Sequence, residues 1–250
     1  MALPAYATFS QRLWHYAYLA ICAVVLFFLV APLIVVIPLS FSKSPFLHFT
    51  PEFLRLDPEA FSLRWYRIMI GDCSAPDITT VCSDRWKDGA RNSLFIAVCA
   101  TFLATTLGTL ASLALSRVYT PFRRTLMAIM ISPLIVPLII TASGMFMFFA
   151  KFQLVATFTG MIIAHTVLGI PFVVITVTAT LISFDHNLTR AASGLGGTPF
   201  YNFFKIQVPL ITPGVVAGAL FAFITSFDEV VIVLFIGSQN QITLPRQMWS

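Results

Sequence analysis

The chain has 250 residues, of which 58% are hydrophobic and only 10% are charged, and its formal net charge is +5. Soluble domains carry roughly 25% charged residues, so the composition excludes an ordinary soluble domain and indicates a membrane protein. The fifteen Lys and Arg residues are scattered over loops, which favours a role in membrane orientation over nucleic-acid binding.

Charge-free runs predict five membrane-spanning helices, and hence an all-α polytopic membrane fold, because one span needs about 20 apolar residues. In chain order, the predicted spans cover about residues 16–42, 92–116, 126–150, 152–181 and 213–236. The first is too long for a signal peptide and lacks an Ala-x-Ala-like cleavage site, so we interpret it as a retained anchor. We expect residues 1–250 to form a single transmembrane domain.

Prolines interrupt three of these spans, at Pro32, Pro38, Pro133, Pro137 and Pro171. Each proline frees a backbone carbonyl that lipid cannot satisfy, so neighbouring helices or a water-filled cavity must satisfy it. Kinked helices around a pathway are one interpretation. Ordinary helix packing is favoured on this pattern alone, because proline is common in membrane helices.

The segment between the first two spans, residues 43–91, is too long for a plain connector and should carry structure of its own. Phe61, Trp65, Ile68 and Met69 recur at helical spacing. This spacing predicts a short helix that includes residues 62–66.

Two cysteines, Cys73 and Cys82, follow that helix. On an oxidising face a pair this close forms a candidate disulfide, whereas Cys22 and Cys99 lie in spans and should stay reduced. Two free thiols in a loop are the alternative, because sequence alone does not show that the geometry permits a bond.

Basic residues distinguish the two sides of the membrane. Arg12 precedes the first span, three arginines follow the second, and Arg190 and Lys205 follow the fourth, which places these segments in the cytoplasm. Residues 43–91 carry seven basic and seven acidic residues, a balance that suits the outside. The N-terminus and residues 182–212 are therefore predicted to be cytoplasmic.

The loop 182–212 has the features of a docking element. Small residues at Ala191 and Ala192 offer a surface for close approach, and Gly196-Gly197 permit a turn that needs a positive φ. Pro199 can begin a second short helix at its first position. The loop is therefore predicted to form a pair of short helices.

The acidic pair Asp228-Glu229 lies inside the fifth predicted span, after Ser226-Phe227. A carboxylate at the bilayer centre costs about 2.5–3.5 kcal/mol on insertion scales, so it should face protein or a water-filled cavity. We predict Ser226, Phe227, Asp228 and Glu229 as candidate pathway residues. Within this set we expect Asp228 to face the cavity for a cationic solute, with pairing to a partner chain as the other role for one of the two acidic residues. A buried ion pair with a partner subunit, or a position at the outer headgroups, is the alternative.

Several kinds of site are not predicted in this chain. The glycines at 194, 196 and 197 lack the Lys and the preceding strand of a phosphate-binding loop, so we expect no ATP site. The histidines and cysteines have no metal-ligand spacing, and no nucleophile elbow surrounds Ser193, so neither a metal, a cofactor nor a catalytic residue is predicted. His165 is interpreted as a core or cavity residue.

Several segments together resemble one transporter family. They are residues 61–66, Asn92-Ser93-Leu94, residues 133–137, residues 226–231 and Thr243-Leu244-Pro245, together with the loop sequence Arg190 to Pro199. The loop resembles the coupling-helix motif of type I ABC importer permeases. The other segments are similar to the spermidine/putrescine-type subfamily, and the resemblance runs nearly end to end.

This resemblance implies a permease subunit in a bacterial inner membrane, moving a small organic solute inward by alternating access. It implies two ATPase subunits that hold the ATP and magnesium, a second homologous permease that forms a heterodimer with this one, and an extracytoplasmic solute-binding protein. Polyamines are the implied cargo, with opines or other small organic solutes as alternatives. The implied ATPase-coupling residues are Arg190, Ala191, Ala192, Leu195, Gly196, Gly197, Thr198, Pro199, Phe203 and Pro209.

The chain departs from the family pattern at two points. Arg190 stands where the motif has a glutamate, so any contact made by that glutamate is not carried over. The family also has a sixth span after the Thr-Leu-Pro segment, and we interpret its absence here as truncation.

Two other classes of protein remain as alternatives. An ion-coupled secondary transporter would use Asp228 or Glu229 as an ion site, but it needs no cytoplasmic dock, and the two halves show no inverted repeat. A membrane scaffold or receptor would leave Asp228 without a role.

Overall fold

The computed structural model describes residues 8–44, 48–70, 84–117 and 119–249. Across these ranges the chain is helical and contains no strand, and the β-type pairing recorded there is an isolated bridge between Ser42 and Phe61. The chain divides into two compact units, Met1–Ser83 and Asp84–Ser250.

The first unit begins with the long helix α1 (Phe9–Leu39), which contains two of the predicted prolines. Three short helical segments follow: α2 (Pro51–Leu54), a 3-10 turn (Pro58–Ala60) and α3 (Arg64–Ile70). Helix α3 confirms the short helix expected near residues 62–66. The predicted cysteine pair, Cys73 and Cys82, lies outside the described residues.

The second unit contains the remaining helices. They are α4 (Arg85–Leu115), α5 (Arg123–Ile135), α6 (Leu138–Lys151), α7 (Phe158–Ile182), α8 (His186–Gly194), α9 (Pro199–Asn202), α10 (Val208–Phe227), α11 (Val231–Ile236) and α12 (Leu244–Met248). Among the described residues, four helices are long and apolar enough to cross a membrane, or five if one bent pair counts as a span. This count agrees with the predicted all-α polytopic fold.

The bent pair is α5 and α6, which meet at 104° within the third predicted span. Pro137 lies at the break: it lacks an N–H group and forces Val136 out of the helical region, to a φ of −73° and a ψ of 134°. The sequence placed one span over residues 126–150, whereas the structure has two helices joined at an angle.

Helix α7 is the most buried of the long helices and packs against both α4 and α10. Its Gly169 lies where the three helices meet, because a Cβ there would be 3.1 Å from the Cβ atoms of both Ala104 and Ala222. Gly214 and Gly218 of α10 approach α7 still more closely, against Thr180 and Thr176. Small residues at such contacts let membrane helices pack backbone to backbone.

The fifth predicted span differs from the observed helix at both ends. Helix α10 begins at Val208 rather than at Pro213, and it ends at Phe227 rather than continuing to Ile236. The short helix α11 then follows as a separate element. Asp228 and Glu229 therefore lie in a break between two helices, not on a continuous helix as the sequence interpretation assumed.

The segment after α11 is attached to the start of α4 by side-chain hydrogen bonds. Asn92 donates to the carbonyls of Asn240 (3.1 Å) and Ile242 (3.0 Å), and the Ser93 hydroxyl accepts from the Leu244 amide at 2.8 Å. Gln241 donates to the Ala156 carbonyl at 3.0 Å, in the loop before α7. These bonds gather α4, the α6–α7 loop and the C-terminal segment at one end of the second unit.

Candidate coupling loop and pathway residues

The loop between α7 and α10 folds into the predicted pair of short helices, α8 and α9. The Asp185 side chain caps α8 by accepting from the Asn187 amide at 2.9 Å. Thr198 caps α9 by accepting from the Tyr201 amide at 3.3 Å, with Pro199 in the first turn. Each cap supplies an acceptor for an amide that has no partner within its helix.

The turn between the two helices depends on both glycines, for different reasons. Gly196 has a φ of +87°, which side-chain-bearing residues rarely adopt. The Gly197 amide donates to the Ala192 carbonyl at 2.9 Å. A Cβ on Gly197 would lie 2.8 Å from that carbonyl oxygen and 2.6 Å from Asn202 Oδ1. Gly196 therefore provides the positive φ that the turn needs. Gly197 leaves space for the Ala192 carbonyl and the Asn202 side chain.

Asn202 joins the two helices of the hairpin from inside. Its side chain is 5% exposed, and Nδ2 donates to the Ser193 hydroxyl at 2.8 Å and to the Thr189 carbonyl at 3.4 Å. The sequence interpretation missed this residue. The available signal was a polar amide directly after the aromatic pair Phe200-Tyr201, in a loop whose helices must pack together.

The outer surface of the hairpin carries large apolar side chains among its exposed polar residues. Leu195 is 90% exposed, Phe200 77% and Tyr201 57%. Three large exposed side chains on one short element outside the long apolar helices form a candidate interaction surface. We call residues 186–202 with these side chains the coupling hairpin.

The predicted coupling residues all lie on or beside this hairpin. Arg190, Ala191, Leu195, Gly196, Thr198 and Pro199 are exposed, whereas Ala192, Gly197 and Phe203 are half-buried. Phe203 begins a π-helical turn, Phe203–Gln207, that leads into α10, and Pro209 lies in the first turn of α10. π-Helical turns are rare and are frequent at functional sites.

The four predicted pathway residues lie together at the end of α10, in unequal surroundings. Asp228 is exposed, whereas Glu229 is 7% exposed and its Oε1 accepts from the Ile232 amide at 3.0 Å. Glu229 directly precedes the N-cap residue Val230 and thus satisfies an amide in the first turn of α11. Ser226 is buried and Phe227 is half-buried.

His165 of α7 reaches this same helix end. Its Nδ1 lies 3.1 Å from the Ser226 carbonyl oxygen and 2.8 Å from the Ser226 hydroxyl. The imidazole is 1% exposed, in agreement with the expected core or cavity position. The sequence did not link His165 to the acidic pair because the two are far apart in the chain.

A separate cleft of about 970 Å³ lies beside the start of α4. Its rim includes Arg85, Asp88 and Arg91, and its apolar wall includes Phe95 and Phe158. None of the four predicted pathway residues lines this cleft.

The helical membrane fold and the hairpin between two of its long helices are those expected of a multi-pass transport permease, and the family match shows this class. Residues 93–249 match the family described as the binding-protein-dependent transport system inner membrane component. The chain belongs to this family, which confirms the resemblance to type I ABC importer permeases. Permeases of this class work with an ATPase and a solute-binding protein.

Individual relatives agree with this assignment. The chain is 30% identical over 231 residues to the putrescine transport system permease protein PotI of Escherichia coli (strain K12), covering 89% of this chain and 75% of PotI. It is 27% identical over 223 residues to the spermidine/putrescine transport system permease protein PotC of the same strain, covering 89% of this chain and 77% of PotC.

A solved structure supports the fold. The chain is similar, with a TM-score of 0.69 and 16% sequence identity, to a chain in the crystal structure of a bacterial ABC transporter involved in the import of the acidic polysaccharide alginate. The match covers 98% of this chain and 81% of that chain. At this identity the likeness establishes the fold and not the cargo.

Proposed function

We propose that this permease carries a small organic cation, most simply a polyamine, into the cytoplasm, and that the coupling hairpin receives the driving force from an ATPase subunit. The observation that carries the proposal is the hairpin itself. Its turn, caps and internal hydrogen bonds make it compact, while its apolar side chains lie on the outside.

Coupling requires an element that moves as a body and is held by its partner. Two hydrogen bonds hold the hairpin together: the Asn202 side chain donates to the Ser193 hydroxyl, and the Gly197 amide donates to the Ala192 carbonyl. Exposed Leu195 and Phe200 offer the contact surface. Closure of an ATPase pair would pull on this surface and shift the helices between inward and outward access, since a partner shifts an equilibrium only through differential binding.

The cargo is inferred from charge and from relatives. PotI and PotC are named for putrescine and spermidine transport. Asp228 is an exposed carboxylate at the break that directly follows α10. An acidic group within the bilayer faces a polar pathway rather than lipid, and we propose this setting for Asp228. An anionic wall favours cations such as polyamines. An opine or another small organic solute is the second candidate, since permeases of this fold also serve other cargoes.

The proposed assembly has two ATPase subunits, with ATP and magnesium held there, a second homologous permease and an extracytoplasmic binding protein. The proposed topology places the N-terminus and the coupling hairpin in the cytoplasm, following the positions of the basic residues. An ion-coupled mechanism is set aside in this proposal because the chain belongs to a family of transport permeases that act with a binding protein, and the proposed ATPase subunits supply the energy.

The test is purification of the tagged permease from native membranes, followed by reconstitution and measurement of ATP hydrolysis with putrescine and spermidine. We expect an ATPase and a binding protein to co-purify, and the amines to stimulate hydrolysis. Asp228→Asn should reduce that stimulation while leaving assembly intact. Equal transport by wild type and Asp228→Asn would contradict a cation-binding role for Asp228, and stimulation by an uncharged or anionic solute alone would contradict the polyamine proposal.

A further inference from the structure

We propose that His165 is a positioning residue that fixes the end of α10 so that the Asp228 carboxylate is held in place for the cargo. This proposal rests on the proposed cation-binding role of Asp228. It adds that a residue of α7, His165, fixes the position of the Asp228 carboxylate. It is drawn from the contacts between His165 and Ser226 and from the unequal surroundings of Asp228 and Glu229.

His165 supplies a hydrogen-bond partner for a backbone carbonyl at the C-terminal end of α10. The last carbonyls of a helix have no donor within the helix, and in a buried setting an unpaired carbonyl is costly. Helix α10 ends at Phe227, so the amide of residue 230 lies outside the helix, and no backbone amide in the described part of the chain is recorded as donating to the Ser226 carbonyl. His165 Nδ1 lies 3.1 Å from that carbonyl oxygen.

Two atoms of Ser226 bear on the tautomer of the imidazole: the carbonyl oxygen only accepts, whereas the hydroxyl, 2.8 Å from Nδ1, can accept or donate. We assign the proton to Nδ1, because only that tautomer supplies a donor to the Ser226 carbonyl at the end of α10. Nε2 is then an acceptor, and it is buried with no hydrogen-bond partner among the described residues. Placing a second proton on Nε2 would bury an unpaired donor, which disfavours a change in this arrangement.

The other side of the break is fixed independently. Glu229 accepts from the Ile232 amide in the first turn of α11, so its carboxylate is occupied by the backbone. Asp228 lies between the two fixed ends, and the structure records no hydrogen bond to its carboxylate in the part of the chain described. His165 and Glu229 therefore hold the two helix ends, and Asp228 is the acidic group left for a cation.

The experiment compares variants in the complete reconstituted complex, with putrescine and spermidine as probes. His165→Leu removes the donor and should lower the ratio of maximal rate to half-saturating concentration by about tenfold, the loss expected for one buried hydrogen bond. His165→Asn, whose amide nitrogen can take the place of Nδ1, should restore most of it. Thr166→Val is the matched control: Thr166 is the next residue of α7, and its hydroxyl donates within its own helix to Ile162.

A double variant separates positioning from general structural support. If His165 acts through Asp228, then His165→Leu should cause no loss beyond about twofold when Asp228 is already Asn. A full additional tenfold loss in that background would overturn the proposal. So would wild-type kinetics in His165→Leu, or equal losses in His165→Leu and Thr166→Val.

A cargo-independent measurement keeps this proposal distinct from the proposed function. Amide hydrogen exchange over residues 225–232 of the purified complex should be faster in His165→Leu than in wild type, and unchanged in Thr166→Val. Normal transport by Asp228→Asn would refute the cation-binding role while leaving the exchange result to test the fixation of the helix end. Unchanged exchange in His165→Leu would refute the positioning role itself.

Discussion

The coupling hairpin can be tested by adding one methyl group at its turn, in the variant Gly197→Ala. The new Cβ would lie 2.8 Å from the Ala192 carbonyl oxygen and 2.6 Å from Asn202 Oδ1. The carbonyl cannot retreat without weakening the bond from the Gly197 amide, which is 2.9 Å long. The side chain of Asn202 can move only by releasing Ser193.

The expected loss in stability of the hairpin follows from displacing the Ala192 carbonyl or the Asn202 side chain. Overpacking costs about 1–3 kcal/mol, and a lost internal hydrogen bond adds about 1 kcal/mol. The hairpin conformation should thus be destabilised by about 2–4 kcal/mol, which lowers its population relative to opened forms roughly 30- to 1,000-fold. Insertion of the permease and the packing of its long helices should be preserved, because the hairpin lies outside those helices.

The assay is substrate-stimulated ATP hydrolysis by the reconstituted complex, together with recovery of the ATPase subunit on the tagged permease. Gly197→Ala should weaken both, and Gly196→Pro should uncouple hydrolysis more completely because proline cannot adopt a φ of +87°. Gly194→Ala is the control, since a Cβ there meets nothing within 4 Å. If Gly197→Ala couples as well as Gly194→Ala does, the rigid-hairpin mechanism is refuted.

Three further outcomes are expected. Asn92→Ala should lower the free energy of unfolding of the second unit by about 2 kcal/mol, because two carbonyls lose their donor; thermal unfolding in detergent measures this, and an unchanged midpoint would contradict it. Glu229→Gln, whose amide oxygen can still accept from Ile232, should transport nearly normally where Asp228→Asn does not; equal defects in transport assays would contradict the division of roles. Gly218→Leu should prevent close packing of α10 on α7 and reduce the yield of assembled complex, whereas a wild-type yield would show that the contact is not needed.

The coupling hairpin was predictable because its determinants are local. The positive φ at Gly196, the cap at Thr198 and the proline at the start of α9 each act within a few residues, so the sequence displays them directly. The long apolar helices were predictable for the same reason, since hydropathy over about 20 residues is a local property.

The break after α10 was not predicted because neither glycine nor proline marks it. Apolar residues continue on both sides, and a continuous helix was the simplest interpretation of that run. The missed signal was Glu229, a carboxylate placed three residues before the Ile232 amide from which it accepts. An acidic pair inside an apolar run can therefore mark a helix terminus as well as a pathway.

The hydrogen bonds that attach the C-terminal segment to α4 could not be predicted from the sequence. Asn92 and Ser93 were noted as part of a family resemblance, but their partners lie about 150 residues away. A single sequence carries no signal for such a pairing, because any amide side chain can satisfy any carbonyl. The structure supplies the physical reason for these two residues at the start of α4.

Helix α7 relates the hairpin to the acidic break. The hairpin follows the C-terminal end of α7, and His165 lies in the N-terminal half of the same helix. Between these points α10 packs closely on α7 at Gly214 and Gly218, where an added Cβ would meet Thr180 and Thr176 of α7. A force applied at the hairpin should therefore move α7 and α10 as one body, and with them the fixed end of α10 that carries Asp228. We thus expect access to the pathway to change by movement of this helix pair relative to its neighbours, because the packing between the two helices resists any change within it.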